Sequence, residues 1–99
     1  MEFGVFIQGY TPKFRRDADP DAEHHAFVDE LELVQAADQA GFKYVWVVEH
    51  HFLDEYSHLS ANDVVCGYLA HATTRIHIFG NSAMTSSQMS LVAVVSVIP

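Results

Sequence analysis

Tyr44-Val45-Trp46-Val47-Val48-Glu49-His50-His51-Phe52 is the stretch from which the fold is read. Its apolar run has no polar alternation, which predicts a strand buried on both faces, as in a parallel sheet. The C-terminal end of such a strand is where α/β folds carry their chemistry. Glu49, His50 and His51 follow at that end and are therefore candidate functional residues.

Working outward, Phe3-Gly4-Val5-Phe6-Ile7 reads as a first strand, closed by Gly9-Tyr10-Thr11-Pro12. Asp19-Pro20-Asp21 supplies a capping aspartate and a proline suited to the first turn of a helix. Phe27, Leu31, Val34 and Ala37 follow at steps of three and four, so one face of that helix packs on a sheet, and Gly41 stops it. Downstream of the Glu-His-His-Phe segment, Ser60 and Asp63 have the spacing of a capping box. A second helix is expected to bury Val65, Tyr68, Leu69 and Ala72, and to lead into a third strand, Ile76-His77-Ile78-Phe79, closed by Gly80. The order is strand, helix, strand, helix, strand. It fits a doubly wound sheet or a (β/α)8 barrel, and no G-x-G-x-x-G follows the first strand to favour dinucleotide binding.

With 49% hydrophobic residues in 99, the chain can build a core as one domain. A formal net charge of -8 argues against nucleic acid or an anionic membrane surface as partner, and only Lys13, Arg15 and Arg16 cluster. The single cysteine, Cys66, has no internal disulfide partner, and Met1 leads into Glu2-Phe3-Gly4 rather than a basic and then apolar leader; a reducing cytoplasm is expected. No run approaches the ~20 apolar residues that cross a bilayer.

Composition changes after Arg75: no Asp, Glu, Lys or Arg occurs from Ile76 to Pro99. A surface helix needs a charged outer face, so this tail does not read as the next regular element. The division expected is residues 1–84 as one structural unit and 85–99 as an atypical apolar tail, truncated or in a shifted reading frame.

Phe3-Gly4-Val5-Phe6, Gln39-Ala40-Gly41-Phe42-Lys43-Tyr44-Val45-Trp46, Glu49-His50-His51-Phe52 and Ile78-Phe79-Gly80-Asn81-Ser82-Ala83-Met84 together resemble the bacterial-luciferase-like flavin-dependent monooxygenases over residues 1–84. The resemblance implies an α/β fold: the first three strands and two helices of a truncated TIM (β/α)8 barrel. It implies a cofactor, reduced FMN, at the C-terminal mouth of the strands, where dioxygen is reduced and one oxygen atom enters a small organic substrate. His50 corresponds to the family's catalytic histidine beside the flavin. Imidazole suits that role because its unperturbed pKa of about 6.5 lets it give or take a proton near neutrality. Glu49 and His50 are expected to touch the cofactor, and Ser82 and Ala83 fall where the family often places a non-prolyl cis peptide beneath the ring. A separate flavin reductase and a homo-oligomer are further implications.

In many members a His-Pro and a charged helix follow; here Thr85-Ser86-Ser87-Gln88-Met89-Ser90 departs from that pattern. A full barrel takes about 250 residues and builds its phosphate site after its seventh and eighth strands. The 99-residue chain is therefore expected to be inactive alone. Two other readings stand beside this one: a deazaflavin-dependent oxidoreductase of the same fold, and a non-catalytic fragment. No metal site is expected, because adjacent residues on an extended segment point to opposite sides and His50 and His51 do not share an ion. His24 and His25 read as solvated surface in the first turn of the first helix, His58, His71 and His77 as isolated, Cys66 as a small core filler, and the acidic residues of the first helix as a solvated face.

Overall fold

The computed structural model describes residues 1–80 and 93–96. Strands β1 (Phe3–Ile7), β2 (Tyr44–Val47) and β3 (His77–Gly80) lie side by side and parallel, in the order anticipated from sequence. Their register is aligned, Ile7 opposite Val47 and Val47 opposite Gly80, so all three end in one row. Helices α2 (Ala22–Gln39) and α3 (Asn62–Ala72) make the crossovers. Val5, Ile7, Val45 and Val47 pack with Val34 and Ala37 of α2 and Leu69 of α3, so both helices cover the same sheet face. Side chains alternate along a strand. Tyr44 and Trp46 therefore stand on the opposite face, where Trp46 stacks against both Tyr44 and Phe79 at centroid distances of 5.8 Å each.

A fourth strand, β4 (Ala93–Ser96), pairs parallel with β1, giving the order β3-β2-β1-β4. The apolar tail thus does contain a regular element. A strand with partners needs no charged outer face, which is why the helix-based reading of that segment missed it. β4 covers the β1 side of the sheet.

Other local readings change in detail. A short helix α1 (Lys13–Ala18) precedes α2; it buries no residue, so no apolar stripe announced it. Asp19 does not cap α2 directly: Asp21 takes the N-cap position, while Asp19 Oδ1 accepts from Asp21 N at 2.9 Å. The capping box of Ser60 and Asp63 does not form, because Ala61 is the N-cap of α3 and no side chain caps it. Tyr68 is 49% exposed rather than buried, leaving Leu69 as the fully buried anchor of α3. Gly41 stops α2 as expected, at a φ of 91° that favours glycine.

Asp38, on the last turn of α2, is buried and not part of a wet face. Its Oδ2 accepts from Thr74 N at 3.0 Å, and its Oδ1 from Arg75 N at 2.9 Å and Ile76 N at 2.8 Å. These bonds, Thr74 first and then Arg75, hold its carboxyl below the usual carboxylate range. One side chain therefore fixes where β3 begins.

Candidate functional site

Because β1, β2 and β3 end in one row, the segments leaving β1 and β2 emerge together. Residues 48–61 form the long one, and its path is fixed by the β1 exit. Thr11 N donates to Glu55 O at 3.0 Å, and His58 N donates to Gly9 O at 2.9 Å. Gly9, at φ 69°, makes the turn; a Cβ there would meet Leu59 N and Phe27 Cε1 at 3.1 Å each. From α2, Glu30 reaches into the same turn and accepts from Gly9 N at 2.8 Å and Gln8 N at 3.4 Å. Burial pushes the Glu30 carboxyl up, against the backbone N–H groups of Gly9, Gln8 and Tyr10, which favour its charged form.

His50 lies three residues beyond the end of β2 and is half-buried. Its N–H donates to Leu59 O at 2.7 Å, and its ring meets Tyr56 edge-on at 5.7 Å. Glu49 and His51 are exposed and face each other, Oε2 to Nε2 at 3.3 Å. The two histidines thus occupy different surroundings. Among the described residues no group of three or more His, Cys, Asp or Glu side chains gathers as if for a metal ion. Ser82 and Ala83, the expected cofactor floor, lie outside the described residues.

The rim beside His50 is apolar. Phe52, Leu53 and Tyr56 are all exposed, and Phe52 holds a φ of 63°. A bulky residue at positive φ is a strained position, of the kind that gathers at functional sites. Two polar groups near the strand ends are buried without a hydrogen-bond partner among the described residues: Gln8 Nε2, just past β1, and Ser57 Oγ. Buried polar atoms are rarely left so.

On the helix side, a cavity of about 230 Å³ opens between α2 and residues 58–65, lined by Phe27, Glu30, Leu31, His58, Leu59 and Val65 among others. His50 does not line it. Cys66 nearby is partly buried, and burial, then Asp63, pushes its thiol up; that suits a core filler rather than a nucleophile.

Sequence reading singled out His50 but passed over Glu30, Gln8, Ser57 and His58. Glu30 had a readable signal, a carboxylate on the apolar stripe between Phe27 and Val34. His58 is not isolated: its Nδ1 faces Glu23 Oε2 at 3.2 Å and its Nε2 faces Asp54 O at 2.7 Å.

Parallel β/α units with a histidine at the strand ends describe a class of α/β enzymes, and comparison narrows it. A profile of the luciferase-like monooxygenases matches residues 1–89, and the chain belongs to that family. It is 39% identical over 54 residues to an N-acetyl-S-alkylcysteine monooxygenase of Bacillus subtilis (strain 168). That match covers 54% of this chain and 16% of the relative's length.

Proposed function

We propose that this chain forms the part of a flavin-dependent monooxygenase that carries its proton-handling imidazole, with reduced FMN as cofactor and dioxygen and a small organic molecule as substrates. The observation that carries the reading is His50: half-buried past β2, pinned through its N–H to Leu59 O and through its ring edge to Tyr56. A ring held in this way is oriented before any ligand arrives.

The residues present fit a flavin. The unpartnered Gln8 Nε2 and Ser57 Oγ suit a ring edge rich in hydrogen-bonding groups, and the Phe52, Leu53 and Tyr56 rim suits its flat apolar face. When bound, reduced flavin supplies the two electrons with which dioxygen is activated. The chain's own share is to position, to exclude water and to manage a proton at a His50 ring nitrogen. In this reading Glu49 contributes negative charge at the rim, and Ser82 and Ala83 are cofactor contacts by the family's pattern. A separate reductase, a homo-oligomer and a cytoplasmic setting complete the reading. Turnover belongs to a complete barrel, because the phosphate site of such folds is built by late loops.

The test grafts residues 1–80 of this chain in place of the matching segment of the Bacillus subtilis relative. Oxygen uptake is then measured with reduced FMN and, separately, with a reduced deazaflavin. Uptake with FMN that His50→Ala lowers by about 10²–10⁴-fold, with flavin binding retained, is the expected result. Hydride transfer with the deazaflavin alone would transfer the reading to that cofactor. A folded graft that binds neither would leave a non-catalytic fragment.

A further inference from the structure

The segment that carries His50 is fastened at a second residue, and that residue belongs to no part of the function just described. His58 stands on the far limb of the 48–61 segment with its side chain 13% exposed. Its backbone N–H donates to Gly9 O at 2.9 Å, tying this limb to the β1 exit. Its ring lies between α2 and the outer limb: Nδ1 is 3.2 Å from Glu23 Oε2 and Nε2 is 2.7 Å from Asp54 O. Both partners are acceptors, so each ring nitrogen faces a group able to take a hydrogen bond. The next residue, Leu59, is buried and offers the carbonyl that His50 N–H donates to at 2.7 Å. One imidazole thus ties the base of α2 to the outer limb of the loop, and its neighbour holds His50.

We propose that His58 is a positioning residue for His50: through its ring contacts with Glu23 and with Asp54 O it keeps Leu59 O and Tyr56 where they orient the His50 backbone and ring. The role rests on His50 being the functional histidine. It does not depend on which flavin is used. Arg16, partly buried and 3.0 Å from Asp54 Oδ1, fastens the same limb from α1.

The experiment follows amide exchange and ring–ring NOEs by NMR in the 99-residue chain. In His58→Ala the His50 amide should exchange roughly tenfold faster or more, and the His50–Tyr56 ring NOEs should vanish, while Val5, Val45 and Val47 amides keep their rates. His58→Gln, which restores a donor to one acceptor, should fall between. Unchanged His50 exchange in a folded His58→Ala chain overturns the proposal. If that variant loses its core protection, Glu23→Ala, which removes the acceptor facing Nδ1, decides: selective loosening of His50 supports the role, and either no change or an equal loss across the core overturns it. Failure of a folded graft to bind flavin would instead remove the proposed function and leave these exchange results standing.

Discussion

At the scale of single residues, Gly4 is under the tightest constraint. A Cβ there would lie 2.5 Å from Trp46 Cζ3 and 3.0 Å from Tyr44 O, and neither the indole nor a strand carbonyl can move aside. Gly4→Ala is expected to destabilise by about 1–3 kcal/mol through overpacking, read as a lower urea midpoint at unchanged slope. The same scale separates what sequence discloses from what it hides. The place of His50 just past a strand end was legible because only Glu49 separates it from an apolar run, a signal contained in nine consecutive residues. His58 was not, because its meaning comes from Glu23, 35 residues away, and from the β1 exit. Nothing near His58 in the chain announces that convergence.

At the scale of elements, two buried carboxylates of α2 fasten the ends of strands, and they respond to pH in opposite senses. Asp38 holds the start of β3 and has its carboxyl lowered in the folded chain by hydrogen bonds. Its contribution is fully present above the unfolded value of about 3.9 and is lost as pH falls through the lower folded value. Glu30 holds the β1 exit with its carboxyl raised by burial. Ionising it therefore costs stability as pH rises from the unfolded value of about 4.3 through the folded one. Thermal melts across pH should show the gap between wild type and Asp38→Asn closing toward strong acid. The Glu30→Gln curve should lack the decline that wild type acquires above about pH 4.3. Strands and the long helix were legible from their periodicity. Helix α1 was not, since its start is set by long-range contacts such as Lys13 N to Glu55 Oε2 at 3.0 Å. The failed capping box has the same lesson, because Ser60 lies one residue outside the N-cap.

At the scale of the whole molecule, the sheet's order decides which edge is protected. β4 covers β1, so prolines at both Val94 and Val95 remove at least one donor from that ladder, adjacent residues of a parallel strand pointing their N–H groups to opposite sides. Faster amide exchange at Gly4 and Phe6, the β1 residues whose N–H groups face β4, and concentration-dependent association are the expected results, since an uncovered strand edge recruits other chains. Unchanged exchange at β1 would mean that the edge is protected in another way. The stack on the sheet's other face has a practical consequence. Trp46 is the chain's single tryptophan, buried where Gly4 of β1, Tyr44 of β2 and Phe79 of β3 converge. Its fluorescence is thus a built-in optical gauge of whether the three strands are joined, readable in a cuvette without a label.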